Sequence, residues 1–197
     1  EEGPLAEQLE GMPVVCCSLH SQVAPACAAL RGHRVAYLQL PGGALPVALS
    51  DTLRALKTSG LVEKMIGVDA CFGGDVDCAN VYSALAWAKA NGADVAVCAI
   101  GPGIVGTGTR LGHGGMAAAH ALSAAAALGG RPILAPRLSE HDPRQRHRGR
   151  SHHTEAIAAV APHELAWPAG APIDPPPEAE HVDVAGWREA CDGLPLS

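Results

Sequence analysis

At 197 residues the chain can bury one ordinary domain core and is not clearly long enough for two. No apolar run is long and pure enough to span a bilayer, and the N-terminus lacks the pattern of a signal peptide, so a membrane-embedded or exported chain is not expected. The formal net charge of −6 gathers at the ends and leaves Val14 to Thr154 at +5, so the folded middle is mildly basic between acidic tails.

Residues 1–13 read as an acidic lead-in with Glu1, Glu2, Glu7 and Glu10. The chain opens on Glu1 and not on Met, and is expected to be the ordered part of a longer protein. Residues 14–167 read as one α/β domain. Its strands are "VVCCSL" (14–19), "RVAYLQL" (34–40), "MIGVDAC" (65–71), "DVAVCAI" (94–100) and "RPILAPR" (131–137). These runs are apolar through both parities, as strands covered on both faces should be. Helical stretches begin near Ser21, Pro46, Ala79, Gly114 and Ser151, and Gly32, Gly60, Gly92 and Gly129 mark helix ends. A sixth short strand is expected near 163–167. Residues 168–197 read as a Pro-rich extended arm and C-terminal segment. Alternation of strand and helix predicts a three-layer, doubly wound, mostly parallel sheet of about five to six strands, Rossmann-like in architecture. Seven cysteines, an odd count without a C-x-x-C pair, read as buried thiols in a reducing, cytoplasmic setting.

In an open parallel sheet, ligands bind beyond the carboxyl ends of the strands. The loops there are "HSQ", "PGGALP", "FGGDVD", "GPGIVGTGTRLGHGG" and "LSEHDPRQRHRGRSHHT". The returning connections "RGH", "TSGLVEK", "NGA" and "LGG" are short and plain, so the unusual residues crowd one rim. In the glycine loop, Gly106, Thr107, Gly108 and Thr109 can aim N–H groups and hydroxyls at an anion. Arg110 adds charge, and Gly114 opens a helix whose N-terminus favours an anion. Tight turns and close helix–sheet packing would also call for glycines. "GPGIVG" matches G-x-G-x-x-G in letters but follows the fourth strand, and no acidic residue about twenty positions on ends a next strand. No G-K-[ST] follows, so this is not a Walker A loop.

In the last loop, Arg144 and Arg146 can fork onto phosphate or carboxylate oxygens. Ser151 suits an N-cap, which places His152 and His153 on a first helical turn where a neutral imidazole is favoured. Asp75, His113, Asp142 and His147 are the acid–base candidates. His20, Ser21, Gly42 and Gly43 complete the rim as ligand-binding candidates. His33, His120 and His163 read as structural, and Cys71 and Cys78 as buried thiols. His20, His113, His141 and His147 with Asp75 and Asp77 would suffice for a divalent cation. No spacing among them matches a zinc pattern, so no metal site is assigned. No G-x-S-x-G elbow accompanies Ser18 and Ser21.

"SLHSQVAP", "LQLPGGALPVALSDT", "CFGGDVDC", "AIGPGIVGTGTRLGHGG" and "DPRQRHRGRSHHT" together resemble the domain of unknown function 3866 family of actinobacterial and Firmicute proteins. The resemblance spans roughly Val14 to Thr154. It implies an additional β-rich N-terminal region in longer members. It brings no activity, so no residue role is carried over from it.

Two classes of function fit. One is a site for a small anionic, phosphorylated or nucleotide-like ligand, serving hydrolysis or group transfer if catalytic. The other is a non-catalytic ligand-sensing or protein-interaction domain. No cofactor is named by these residues. A homo-oligomer is compatible with them, while nucleic acid is disfavoured by the scarcity of aromatics and the acidic tails.

Overall fold

The structure is a computed structural model that describes residues 3–161, 164–168, 179–182, 189 and 191–194. The Pro-rich stretch 169–178, His163 and residues 183–188 lie outside the described residues. The five expected strands form within a few residues of their runs, as β1 (Pro13–Cys17), β2 (Val35–Leu40), β3 (Lys64–Val68), β5 (Val95–Ile100) and β6 (Arg131–Ala135). The short sixth strand is present as β9 (Glu164–Pro168). Three further elements come from stretches read as loops: β4 (Val76–Cys78), and the two-residue strands β7 (Leu138–Ser139) and β8 (Gly149–Arg150). Within the segment read as an extended arm, β10 (Ala179–Val182) pairs with β9.

Among the described residues the main sheet has eight strands in the order β10-β9-β6-β1-β5-β2-β3-β4, and every pairing is parallel. β2 and β5 are buried at every residue, which is why their sequences do not alternate. Successive side chains still divide between faces. Tyr37 and Val97 join the core beneath α1 (Val23–Ala29) and α2 (Asp51–Thr58). Leu38 and Cys98 join the core beneath α3 (Val81–Ala90), α4 (Ala117–Ala127) and α5 (His152–Val160). The protein is therefore a three-layer, doubly wound α/β fold.

Helix starts follow local chemistry. α2 begins later than its apolar pattern suggests. Val47–Leu49 first makes a 3-10 turn, and Ser50 then caps the helix by accepting the Leu53 N–H at 3.1 Å. α4 is likewise preceded by a 3-10 turn over Gly114–Met116. Its alanines Ala118, Ala121, Ala124 and Ala125 are fully buried, so the helix lies close on the sheet. The acidic lead-in is tied down. The Leu9 N–H donates to the Leu128 carbonyl at 2.7 Å, and the Leu9 side chain is fully buried.

Two glycine loops touch at the carboxyl end of the sheet. Gly42, after β2, packs backbone to backbone against Gly114, and a Cβ on Gly114 would fall 1.9 Å from the Gly42 carbonyl oxygen. Gly43 packs likewise against Gly101 and Gly103. These contacts seat the β5–α4 loop on the sheet. Gly114→Ala should therefore lower unfolding stability by about 1–3 kcal/mol in a urea titration, the usual range for forcing a group into packed space.

Candidate functional site

Each strand hands its loop to the face on which its helix packs. β1 leads to α1 on one face, while its neighbour β5 leads to α4 on the other. The chain thus diverges between β1 and β5, which opens a crevice at the carboxyl end. His20 stands in this crevice as a strut. Its Nδ1 donates to the Ile100 carbonyl at 3.1 Å, and its Nε2 accepts from the Ser50 hydroxyl at 2.7 Å. The carbonyl can only accept, so it fixes the Nδ1–H tautomer. Burial lowers the His20 pKa, with the Ile100 carbonyl opposing. His20 and Ser21 line a small cavity of about 230 Å³ with Ile100 to Ile104.

The glycine loop rises from β5 as a hairpin. Gly106 bridges His113 in antiparallel fashion, and the Gly114 N–H donates to the Val105 carbonyl at 2.8 Å. The threonine hydroxyls serve the turn itself. Thr107 Oγ1 donates to the Gly112 carbonyl at 3.2 Å, and Thr109 Oγ1 accepts from the Gly112 N–H at 3.1 Å. The loop therefore does not aim both hydroxyls at one external point. Gly42, Gly43 and Gly114 make room for the protein's own backbone rather than for a ligand.

The last loop is closed at its base by β7 and β8, paired antiparallel. The Ser151 N–H donates to the Arg137 carbonyl, and the Arg137 N–H to Thr154 Oγ1, both at 3.0 Å. Inside the loop, Asp142 is 7% exposed. Its carboxylate accepts from Arg144 Nε and Nη2 at 3.1 Å each, from the Arg144 N–H at 2.9 Å and from Arg137 Nη2 at 2.7 Å. The Arg144 contacts, then Arg137, hold its carboxyl well below the usual range. An acid–base role for Asp142 is thereby corrected: a carboxylate locked between two guanidiniums stays ionised and fixes the loop. Asp75 is also displaced from the rim. The chain runs back along β3 to pair β4 in parallel. This carries Asp75 to the amino end of the sheet, where it accepts from Lys57 Nζ at 2.6 Å and the Met65 N–H at 2.7 Å. Partial burial opposes its ionisation, but these two donors outweigh it and lower the pKa.

The two loops meet at a group of imidazoles from His113, His147, His152 and His153. Ring centroids lie 4.1 Å apart for His152–His153, 4.3 Å for His113–His153 and 4.9 Å for His147–His152. Ser151 caps α5 by accepting the His153 N–H, which sets His152 and His153 on the first helical turn. His147 Nδ1 donates to Ser151 Oγ at 2.8 Å, while its Nε2 accepts from Arg146 Nε at 3.4 Å. Burial pushes His147 down to about 4, aided by the Arg144 and Arg137 charges. Burial also pushes His153 down to about 3, aided by His152 and His113, and lowers His113 and His152. Burial, the largest cause in all four, disfavours the imidazolium form throughout the group. Nε2 of His152 and Nδ1 of His153 are buried without a hydrogen-bond partner, and His113, on which the Arg110 backbone opposes the effect of burial, makes no hydrogen bond of ordinary geometry through either ring nitrogen. Each such orphan costs about 1–3 kcal/mol.

A cavity of about 340 Å³ opens beside these rings. Of the expected residues it gathers Gly106, Gly108, Thr109, His113, Arg144, Arg146, His147 and His152. Arg110 is exposed and stands outside this lining, Thr107 closes the turn, and Ser151 lies buried under His147. The structure adds His153, Leu19, Ile104 and Val105 to the wall. Adjacent residues on a helix point about 100° apart, so periodicity admits only one of the His152–His153 pair to a shared wall. The doubled histidine directly after a capping serine was the available signal.

Asp142 generates a stability prediction. A carboxyl depressed in the folded state stabilises above its unfolded pKa of about 3.9 and loses that contribution as pH falls through the folded value. The melting-temperature gap between the protein and Asp142→Asn should hold steady from neutral pH to about 4 and shrink below it, as followed by circular dichroism.

No helix among the described residues is long and apolar enough to cross a membrane. No curated protein and no solved structure matches the chain. Residues 4–171, most of the chain, match the family described as Protein of unknown function (DUF3866). The rim motifs and this match agree, and the chain belongs to that family.

Proposed function

We propose that the cavity between the glycine hairpin and the histidine–arginine loop binds a small anionic, phosphorylated ligand. The observation that carries this reading is the charge of its wall. Arg144 and Arg146 line it with four imidazoles, and no carboxylate is among its described lining residues. Asp142, the nearest acid of that loop, is already matched by Arg137 and Arg144. Arg146, with the surplus charge that Arg137 and Arg144 leave over one Asp142 carboxylate, favours an anion on this concave, partly apolar wall. The volume, about 340 Å³, suits a phosphorylated metabolite or a nucleotide fragment and is at the low end for small-molecule sites.

Hydrolysis or group transfer is the reaction class such a cavity would serve. Of the expected acid–base groups, His113 and His147 face it, and burial lowers the pKa of both. The Arg-rich loop fits a small ligand better than nucleic acid. Arg137 and Arg144 pair with the Asp142 carboxylate, Arg148 donates to its main-chain carbonyl at 3.4 Å, and Arg150 pairs with Glu155 at 3.6 Å. All seven cysteines are buried thiols, which accords with a reducing compartment, and a cytoplasmic setting is our reading of them.

Calorimetric titration with inorganic phosphate and with phosphorylated sugars and nucleotides, in the presence of a chelator, tests the reading. At least one of these anions should bind, and Arg146→Ala should weaken it about 10- to 150-fold, the value of one charged contact of about 1.5–3 kcal/mol. Absence of binding for the whole panel, or binding that Arg146→Ala leaves unchanged, would sink it.

A further inference from the structure

We infer that His113, His152 and His153 form a binding site for a divalent transition-metal ion. One ring nitrogen from each residue lies within 4.8 Å of the other two. The three come from two separate segments, the end of the glycine hairpin and the first turn of α5, so the convergence is tertiary and not an accident of one helix. Nε2 of His152 and Nδ1 of His153 have no hydrogen-bond partner, and His113 makes no hydrogen bond of ordinary geometry through either ring nitrogen, although all four atoms are buried. Buried polar atoms are almost always paired, and one nitrogen from each of the three rings can share a common electron-pair acceptor. Each neutral imidazole must keep one nitrogen bare, and a bare imidazole nitrogen is a metal ligand.

The chemistry of the set selects the ion. Three neutral nitrogens suit zinc, cobalt, nickel, copper or iron, and they suit magnesium and calcium poorly, since those take oxygen ligands. A tetrahedral ion with bonds of about 2.1 Å sets ligand nitrogens about 3.4 Å apart. Occupancy would therefore draw the rings inward by up to about an ångström. Three protein ligands leave a fourth position open, as at catalytic rather than structural zinc sites. All three rings line the cavity that also holds Arg146. Arg144 and Arg146 oppose a bare cation here, and Asp142 offsets only part of their charge. A bound anion would remove the remainder. The inference stands on the imidazoles and not on the anion reading. It goes beyond that reading by making metal and anion mutually favouring ligands.

The test uses the metal alone. Chelator-stripped protein in chloride buffer is titrated with Co(II), followed by visible d–d absorption, and then with Zn(II), followed by elemental analysis after gel filtration. One equivalent of Co(II) should bind with the intense bands of low-symmetry coordination, Zn(II) should displace it, and Mg(II) should not. His113→Ala and His153→Ala should each lower affinity at least about tenfold, while His120→Ala should not. To keep the result independent of folding in the variants, ¹⁵N imidazole spectra of the unaltered protein are recorded with Zn(II). Resonances of His113, His152 and His153 should move, and those of His20 and His120 should stay. Binding below one equivalent, affinity untouched by both variants, or imidazole shifts confined to other histidines would overturn the assignment. Metal uptake without phosphate binding in chelator would leave this assignment intact and remove the anion reading; the reverse pair of results would do the opposite.

Discussion

The candidate site depends on one buried carboxylate. Asp142 accepts from Arg137 and Arg144 and from the Arg144 backbone N–H, and is nearly withdrawn from water. Removing one partner of such a cluster leaves an uncompensated buried charge, so the loop has little freedom to rearrange. With the loop held, the 3-10 turn over Gln145–His147 delivers His147 to Ser151, and Ser151 in turn starts α5. A single electrostatic knot thus determines where Arg144, Arg146 and three of the four imidazoles stand. The sheet supplies the other half. Backbone contact between Gly42 and Gly114 seats the hairpin that carries His113.

What the two halves enclose is basic in composition and poor in protons. Burial lowers the pKa of the imidazoles beside these guanidiniums. A neutral imidazole beside a guanidinium has lone pairs to offer and no positive charge of its own. The same wall can therefore present cationic groups to an anion and bare nitrogens to a metal ion. These are complementary demands, because an ion held by three uncharged ligands retains its full charge and attracts the anion.

The fold was largely legible because its signals are local. Runs such as "RVAYLQL" and "DVAVCAI" are apolar through both parities, and only a doubly covered strand tolerates that. β4 escaped because three residues containing Asp77 carry no period. The uneven chemistry of the loops at the two ends of the sheet points to the carboxyl rim, where the proposed cavity opens. The membership of that site was less legible. Asp75 sits in a loop that starts at the rim, but a parallel edge strand must begin at the far end, so pairing carried it away. Asp142 has the composition of a catalytic acid, and only tertiary structure shows both arginines closing on it. The glycines looked like a cradle because sequence cannot say whether a missing side chain admits a ligand or another backbone. His153 was hidden for a similar reason: it lies beside His152, and only the position of the hairpin shows both rings reaching one cavity.

The central claim is that hairpin and loop form one site. Backbone amide NMR during a titration with inorganic phosphate tests it most directly. The account predicts that the amides of Gly106, Gly108 and Thr109 shift together with those of Arg146, His152 and His153, all along one binding curve. Shifts confined to one of the two segments, or two segments following different curves, would contradict it.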